Sequence, residues 1–424
     1  MATSARPLAV PAKPSKSSQH LHPSYGSPHL PPPTPSYHSN SSLGSHQEMD
    51  TLELSPGVGL GPFVLGDTLW HVLDLLRSRK TEVPKIDVSW DPDNAPRTSV
   101  TVHAGALALL FPSPAQRLSH IVVTDLGDVT LTYEGTVLSS PPRPLTRAGV
   151  AYALGPTFND GTPRLAYPGL ALESAGGERD DRVTTVNIMP RDGEQPVGED
   201  GLRKCSIKPG RGATLTFTHD VTITLGETTA QDVLLDLGPP LRKYWREDER
   251  LDRVWGPSRR VPPGHDATSP SACFWNYLQY GLDLLVVDGV VTKLIAYSNI
   301  PGTPMFQQYA RCPWEVETGS KPLDLTAPLS TFRSELGSSP LAAPVEGETQ
   351  SARKGKKGKG GDRANNTSPA SEPDAMVLDR SVEGGLEGVV GLSRSQLIGL
   401  DGLVLEVDEG SGGIASVQVF KATN

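Results

Sequence analysis

The stretch LGETTAQDVLLDLGPP, residues 225–240, decides the fold because it holds a complete short helix with its own start and stop signals. Thr229 and Asp232 have the spacing of a capping box, with Asp in place of the usual Glu. Gly238 and Pro239 end the helix. Between these signals, four apolar residues recur at helical spacing: Ala230, Val233, Leu234 and Leu237. The stretch therefore predicts a short amphipathic helix.

Two strands are predicted after this helix. YGLDLLVV begins at Tyr280 and VTKLIAY begins at Val291, and both are short runs rich in branched apolar residues. Asp288 and Gly289 between them are the signature of a tight hairpin turn. The strands are therefore expected to be antiparallel, with the helix on one face, which gives an α+β fold.

The same order of helix and strands occurs at three other places in the chain. The first copy has LGDTLWHVLDLL from Leu65, GALALLF from Gly105 and IVV from Ile121. The second has LTRAGVAYALGP from Leu145, YPGLALE from Tyr167 and VTTVNI from Val183. The last has STFRSELGSSP from Ser330, GLVLEV from Gly402 and IASVQVF from Ile414. Because such self-similarity is typical of duplication, we predict about four repeated units of helix and antiparallel strands. The first helix is expected to bury Leu69, Val72, Leu73 and Leu76.

Low-complexity segments set the expected limits of these units. Residues 1–50 are rich in Ser, Pro and His and predict a disordered tail, and residues 337–391 predict a long disordered insertion. The predicted units cover residues 51–138, 139–219, 220–318 and 319–424, listed from first to last, with an irregular loop in the second and the insertion in the last.

The composition excludes several classes of protein. The formal net charge of −9 lacks the basic footprint of a nucleic-acid-binding protein. Three cysteines are too few for a disulfide framework, which favours a reducing compartment and a cytoplasmic location. We find neither a signal peptide nor an apolar run of membrane-spanning length.

The sequence offers no set of residues for catalysis, cofactor binding or metal binding. The glycine string PGVGLGPFVLG, residues 56–66, lacks the spacing of a phosphate loop, so we predict a structural loop in which Gly57, Gly59 and Gly61 have positive φ. The histidines have no metal-ligand spacing, and no nucleophile motif is present. The sequence therefore predicts a protein that is not an enzyme and that has no cofactor.

Two basic or aromatic segments are candidates for binding. In LRKYWREDERLDRVW, residues 241–255, Tyr244 and Trp245 are of the types that dominate protein interfaces, although a solvated charged segment is the alternative. Within the insertion, a basic run suits weak contact with anionic lipid, or else is a solvated linker. This run comprises Lys354, Lys356, Lys357 and Lys359.

Three strings resemble the phagosome assembly factor 1 family. They are PGVGLGPFVLG (residues 56–66), FWNYLQYGLDLLV (274–286) and SNIPGTPMFQQYARC (298–312), and the resemblance extends in the same order from about residue 52 to 420. It implies a non-enzymatic adaptor of autophagy that binds a phosphoinositide-binding β-propeller protein at the phagophore assembly site. Peripheral membrane association through that partner is implied as well.

The third string supplies the main candidates for partner binding. They are Asn299, Pro301, Phe306, Tyr309 and Arg311, in a loop predicted to follow a strand, together with Tyr244 and Trp245. A structural corner held by Pro and Gly is the alternative for the loop. Alternative functions are a Golgi or vesicle trafficking factor, and a carrier of lipid or small molecules with a pocket between helix and sheet.

Overall fold

The computed structural model describes seven segments of the chain. They are residues 51–157, 162–191, 201–245, 272–303, 305–337, 375–379 and 394–421, with only the backbone described for 375–379. These segments hold four α-helices and 25 β-strands, which confirms a mixed α+β fold and shows that sheet predominates. The predicted tail and most of the predicted insertion lie outside the described residues.

Residues 51–191, here called module 1, begin with three strands and alternate helices with strands thereafter. Their strands are β1 (Thr51–Ser55), β2 (Gly59–Leu60), β3 (Phe63–Val64), β4 (Ile86–Ser89), β5 (Val100–Ala104), β6 (Leu107–Phe111), β7 (His120–Val123), β8 (Thr130–Tyr133), β9 (Thr136–Ser139), β10 (Arg164–Tyr167), β11 (Leu170–Ser174) and β12 (Val183–Ile188). The helices are α1 (Leu69–Ser78) and α2 (Arg147–Leu154).

Residues 201–421, here called module 2, repeat this order with one additional strand after the second helix. Their strands are β13 (Lys204–Lys208), β14 (Gly212–Thr216), β15 (Asp220–Thr224), β16 (Arg242–Trp245), β17 (Ala272–Tyr277), β18 (Leu282–Val287), β19 (Val290–Tyr297), β20 (Trp314–Val316), β21 (Leu323–Asp324), β22 (Ala375–Asp379), β23 (Arg394–Leu400), β24 (Leu403–Asp408) and β25 (Ile414–Phe420). The helices are α3 (Ala230–Leu237) and α4 (Leu329–Leu336).

Each module contains a small and a large sheet, and the strand orders of the two modules correspond. The small sheets have the orders β3-β2-β1-β8-β9 and β15-β14-β13-β20-β21. The large sheets have the orders β10-β11-β12-β7-β6-β5-β4 and β22-β23-β24-β25-β19-β18-β17-β16. All described pairs are antiparallel, as predicted, except β1 with β8 and β13 with β20, which are parallel.

The structural repeat is therefore longer than a single helix with its strands. Four strand pairs form at the predicted places: β6 with β7, β11 with β12, β18 with β19, and β24 with β25. Two such pairs then join into each large sheet, through β7 with β12 and through β19 with β25. The four helix-and-strand segments are thus combined two by two, and each pair of them shares one sheet.

One strand forms inside the segment predicted to be a disordered insertion. β22 pairs with β23 in an antiparallel register from Ala375 opposite Ile398 to Asp379 opposite Arg394. The expectation of disorder is wrong for these five residues, since their backbone pairs with β23.

The helix signals of the sequence behave largely as predicted. Thr229 and Asp232 form the capping box of α3, and Gly238, with φ 72°, ends that helix. The predicted face of α1 is buried in full. In α3, however, Val233 and Leu237 are buried while Leu234 is 40% exposed, so the predicted apolar face is wrong at Leu234.

A glycine turn ties the small sheet to the large sheet in both modules. The turn is SPGVG (55–59) in module 1 and KPGRG (208–212) in module 2. Gly57 N donates to Gly169 O at 3.0 Å, and Gly210 N donates to Gly402 O at 2.9 Å. A Cβ on Gly169 or on Gly402 would overlap the backbone of the facing turn. Glycine is therefore required where the two turns meet.

The predicted conformation of the glycine string is confirmed at two of three positions. Gly57 (φ 75°) and Gly61 (φ 54°) have positive φ, whereas Gly59 lies in β2 and does not. The expectation was wrong at Gly59, where a Cβ would instead overlap the carbonyl oxygen of Phe63 on the neighbouring strand. Close approach of the backbone, and not torsion, is the reason for glycine at this position.

Each module has its own apolar core, formed where strand residues alternate between two faces. In β5, for example, Val100 and Val102 are fully buried while His103 is exposed. In module 2, Leu284, Leu294 and Val417 lie at the centre of the core. Phe306 of module 2 belongs to the core of module 1, so the two modules are packed together.

Candidate functional site: the junction between the modules

The modules differ in the connection that leads from the large sheet to the small sheet. Six residues, 124–129, join β7 to β8 in module 1, whereas sixteen residues, 298–313, join β19 to β20 in module 2. We call residues 298–313 the junction loop because they contact both modules. Five of the residues predicted to bind a partner lie in this loop.

Three amide side chains join the junction loop to module 1. Asn299 Nδ2 donates to Gln116 Oε1 at 2.9 Å, and Gln116 Nε2 donates to Asn299 O at 3.0 Å. The remaining polar atom, Asn299 Oδ1, accepts from Gln307 N at 2.9 Å. All three residues are buried. Because the side chains of Gln116 and Asn299 and the backbone N–H of Gln307 satisfy one another where water is excluded, the pairing is specific for this arrangement of the modules.

The same three residues have left-handed backbone conformations. The φ angles are 49° at Gln116, 46° at Asn299 and 70° at Gln307. Such torsions cost a residue with a Cβ on the order of 1 to 3 kcal/mol and persist only where surrounding contacts hold them. The hydrogen bonds between the amides, and the one from Arg77 Nη2 to Gln307 Oε1 at 2.9 Å, provide that restraint. The junction is therefore a strained segment held by contacts between modules.

Arg311 anchors the end of the loop through backbone carbonyls. Its Nε donates to Ser298 O at 2.7 Å and its Nη1 donates to Pro114 O of module 1 at 3.1 Å. Its Nη2 lies 3.5 Å from Asn299 O. Burial lowers the pKa of Arg311 to about 9, since the charged guanidinium is removed from water. The side chain thus joins three chain segments that belong to both modules.

Tyr309 covers the outer face of the large sheet of module 2 over a buried acid. Its hydroxyl donates to Asp283, at 2.8 Å from Oδ2 and 3.0 Å from Oδ1. Tyr297 Oη donates to Asp283 Oδ2 at 2.9 Å, and Asn276 Nδ2 donates to Oδ1 at 2.7 Å. The rings of Tyr297 and Tyr309 stack with centroids 4.0 Å apart. Burial and the carboxylate both raise the pKa of Tyr309, burial being the larger cause.

Apolar contacts complete the junction. The ring of Phe306 lies 5.9 Å from that of Trp90, centroid to centroid, at an interplanar angle of 52°. Pro301 is buried, and a Cβ on Gly302 would lie 3.7 Å from the Trp90 ring. Outside the loop, Arg117 Nη2 of module 1 donates to Leu202 O of module 2 at 2.8 Å. These contacts bury the inner surfaces of both modules against each other.

The structure brings the five predicted loop residues together and buries all of them. They follow β19 directly, and contacts with both modules hold them in place: Asn299, Pro301, Phe306, Tyr309 and Arg311. That they bind a partner stays a prediction. In the folded chain, their side chains contact the protein interior, so their replacement acts first on the junction.

Tyr244 and Trp245 lie elsewhere, on the terminal strand β16 of the large sheet. Tyr244 pairs with Phe274 and Trp245 pairs with Cys273 of β17. Trp245 packs partly against the core, whereas Tyr244 is 38% exposed on the other face. Neighbouring Lys243 places its Nζ 4.4 Å from the ring centroid of Trp275, which is a cation–π contact.

Sequence reasoning missed the partners of the junction loop. Gln116 and Arg77 belong to module 1, and neither has a motif that indicates contact with residues about 200 positions away. Asp283 lies within the strand predicted from YGLDLLVV, where its neighbours are apolar. A buried charge in the string GLDLLVV was the one signal that indicated a polar partner above the sheet.

The described residues include no cluster of three or more His, Cys, Asp or Glu that would hold a metal ion. Within the same residues, no helix has the length and apolar character needed to span a bilayer. The basic run at Lys354, Lys356, Lys357 and Lys359 lies outside the described residues, so weak contact with lipid there stays a prediction.

Comparison with known families connects both modules to one family. The sequence model of the family described as phagosome assembly factor 1 matches residues 59–187 and 200–420, which covers most of the chain. The chain belongs to the phagosome assembly factor 1 family. The interval between the two matched segments falls where module 1 ends and module 2 begins, so each matched segment corresponds to one module.

Relatives of the phagosome assembly factor 1 family occur in plants and animals. A PHAF1 protein of Arabidopsis thaliana is 23% identical over 331 residues, which span 65% of this chain and 77% of the relative. A PHAF1 protein of Caenorhabditis elegans is 22% identical over 339 residues, which span 64% of this chain and 78% of the relative. No solved structure is significantly similar to the chain. The family name denotes an assembly factor and names no reaction.

Proposed function

We propose that this chain is a non-enzymatic adaptor of autophagy, recruited from the cytoplasm to the phagophore assembly site by a phosphoinositide-binding β-propeller protein. The observation that carries the proposal is the family match, which extends over both modules. An adaptor requires surfaces held in a fixed arrangement, and the buried junction supports that requirement.

The buried charges of the junction support a structural task. Both oxygens of Asp283 already accept hydrogen bonds from Tyr297, Tyr309 and Asn276. Arg311 donates to backbone carbonyls. Groups that are fully committed to internal hydrogen bonds in a dry site do not face a substrate. These contacts favour an adaptor over an enzyme.

The surface proposed to bind the β-propeller protein is the terminal strand β16 with the turn before it. Tyr244 is 38% exposed, Leu241 is 55% exposed and Leu235, at the end of α3, is 77% exposed. Exposed tyrosine and leucine side chains at the end of a sheet suit a protein partner, which adds main-chain contacts beside an edge strand. Tyrosine is also enriched among the residues that dominate binding energy.

The junction loop contributes to this function by positioning. Its side chains hold module 1 against module 2, so surfaces on the two modules are presented together. The proposed roles of Asn299, Phe306 and Arg311 are therefore indirect, whereas the proposed role of Tyr244 is direct contact.

The direct contact is tested with Tyr244→Ser in the full-length chain, expressed in starved cells and recovered with its bound proteins. Loss of an interface hot spot lowers affinity at least about tenfold, so recovery of the β-propeller protein should fall accordingly. Tyr152→Ser is the matched control, since Tyr152 on α2 is 93% exposed. Equal recovery with Tyr244→Ser and Tyr152→Ser contradicts β16 as the contact.

The location is tested separately by imaging the tagged chain before and after starvation. Puncta that coincide with phagophore markers and depend on the β-propeller partner are expected. Accumulation on the Golgi in both conditions contradicts the proposed site and favours the trafficking alternative.

A further inference from the structure

An open groove of about 450 Å³ lies on the small sheet of module 2, and its described lining includes no residue of the junction loop or of β16. Three cations from different parts of the chain line it. Lys208 and Arg211 flank the glycine turn between β13 and β14, and Lys421 follows β25. All three are exposed, and none forms an ion pair with a described residue.

The groove also offers neutral donors and a single opposing charge. Thr214 and Thr222, on neighbouring strands β14 and β15, contribute hydroxyl groups to its wall. Glu227 is the one carboxylate among the described residues that line the groove, so cations outnumber anions by three to one there. On a chain whose formal net charge is −9, this local excess of positive charge is unusual.

The corresponding turn of module 1 shows that the scaffold does not need these charges. KPGRG (208–212) of module 2 occupies the place of SPGVG (55–59) of module 1, and both turns contact a glycine of the large sheet in the same way. Lys208 and Arg211 thus replace Ser55 and Val58 at equivalent positions. Since the turn forms with either pair of residues, the fold does not require the positive charges of module 2, and they are available for binding.

Lys421 lines the groove from the end of β25. Its Nζ lies 2.9 Å from the point at which a Cβ on Gly226 would be, so the lysine side chain extends over that glycine. Gly226 has φ 80°, and its amide is bonded to Val291 O at 2.7 Å. The amine of Lys421 therefore lies beside the turn that follows β15.

We propose that this groove binds a phosphorylated anion, such as an inositol phosphate or the same group as a lipid headgroup. Arg211 supplies a planar set of donors for phosphate oxygens, and the two lysines supply compact charges on either side. Hydroxyl groups of the threonines complete a site for an anion that carries several oxygens. The site is separate from the surface proposed for the β-propeller partner, and its occupancy does not depend on that partner.

The test uses purified full-length protein with inositol hexakisphosphate as the soluble probe. The variant Lys208→Ser/Arg211→Val gives the turn of module 2 the sequence of the module 1 turn. It is therefore expected to fold. Loss of two charges near the ligand should weaken binding about 25-fold, and Lys421→Gln should weaken it about fivefold. Binding to the wild type should also weaken as salt is raised.

A second arm uses vesicles of phosphatidylcholine alone, with added phosphatidylserine, or with added phosphatidylinositol phosphate. Binding of the soluble probe without vesicle binding supports the groove with a free phosphate as ligand. Vesicle binding that requires phosphatidylinositol phosphate and competes with the soluble probe supports a lipid headgroup. Equal binding to phosphatidylinositol phosphate vesicles and to the soluble probe in wild type and groove variants overturns the proposal.

Two controls separate the groove from general charge effects. Lys80→Ser/Lys321→Ser removes two exposed lysines elsewhere and should leave binding unchanged, with unaltered thermal unfolding in all variants. Replacing Lys354, Lys356, Lys357 and Lys359 by Ser should also retain binding. No binding by the wild type, an equal loss in either control, or full binding by Lys421→Gln overturns the proposal.

Discussion

Modules 1 and 2 have the same strand order apart from the additional strand β22, yet among the described residues only module 2 has a loop that covers the outer face of its large sheet. The register of the hairpins identifies equivalent residues: His103 pairs with Ala108 in module 1 as Asn276 pairs with Asp283 in module 2. His103 is exposed, whereas Asn276 and Asp283 are buried under Tyr309 of the junction loop. A duplicated scaffold thus kept its sheets in both copies, and one copy alone acquired the loop that holds the two together.

The difference between the connections also explains where charge is buried. A six-residue link between β7 and β8 only crosses from one sheet to the other, whereas the sixteen residues of the junction loop bury Arg311 and several amides. Buried polar groups cost free energy unless they are bonded, and those of the loop are bonded to one another and to module 1. The loop therefore favours one relative arrangement of the modules, and three predictions test this comparison.

Replacement of Arg311 should have the largest effect. Arg311→Met leaves the carbonyls of Ser298 and Pro114 without their buried donor, and we expect a loss of about 4 kcal/mol in the free energy of unfolding. Since these bonds join the modules, urea unfolding followed by tryptophan fluorescence should separate into two transitions. Arg147→Met, which disrupts a buried arginine inside module 1, should lower stability without separating them. A single transition for Arg311→Met would show that the loop does not couple the modules.

A pair of equivalent leucines should differ in cost. Leu73 and Leu234 both lie five residues after the N-cap of their helix, Thr68 in α1 and Thr229 in α3. Leu73 is buried, so Leu73→Ala should cost about 3 kcal/mol through lost contacts and a cavity. Leu234 is 40% exposed, so Leu234→Ala should cost less than about 1 kcal/mol. Chemical denaturation of both variants measures this, and equal losses would contradict the different burial of α1 and α3.

Tyr309→Phe, which removes one of the donors to Asp283, should have a smaller effect than Arg311→Met or Leu73→Ala. At neutral pH the free energy of unfolding should fall by about 2 kcal/mol, which is typical of a lost hydrogen bond to a charged group. The variant also tests the raised pKa of Tyr309, because the unfolded chain releases the tyrosine proton at about pH 10 and the folded chain retains it to higher pH. Stability from this group is therefore complete below about pH 10 and is lost as pH rises above it.

The measurement is the free energy of unfolding against pH between neutral and alkaline conditions. The wild type should lose stability more steeply than Tyr309→Phe above about pH 10. Tyr277, whose pKa is also raised by burial, contributes to the slope in both proteins and cancels in their difference. Parallel curves would mean that the Tyr309 hydroxyl is not held as a neutral donor to Asp283.

Local elements of the fold were largely predictable from the sequence. The capping box of α3, the hairpin at Asp288 and the paired strands are set by residues close together in the chain. Local patterns predict these elements correctly because each element forms from its own backbone hydrogen bonds and its own apolar face. The longer repeat escaped notice although SPGVG (55–59) and KPGRG (208–212) mark its two copies in the sequence.

The position of the candidate site along the chain was predictable from the sequence, but its burial between the modules was not. Residues 298–312 stand out as a loop after a strand, and they do form one. Their burial depends on Gln116, Arg77 and Trp90, which are far away in sequence and carry no pattern of their own. The exposure of Leu234 likewise depends on which elements pack against α3. The periodicity of apolar residues does not predict those elements.

By itself, the sequence determined the helices, hairpins, turn glycines and membership of a family, because these rest on short-range bonds and on order along the chain. Only the tertiary structure decided that helix-and-strand segments join two by two into large sheets, and that the loop after β19 holds the modules together. The reason is that sheet partners and buried polar pairs are chosen among distant residues by the burial of complementary surfaces, which no local pattern encodes.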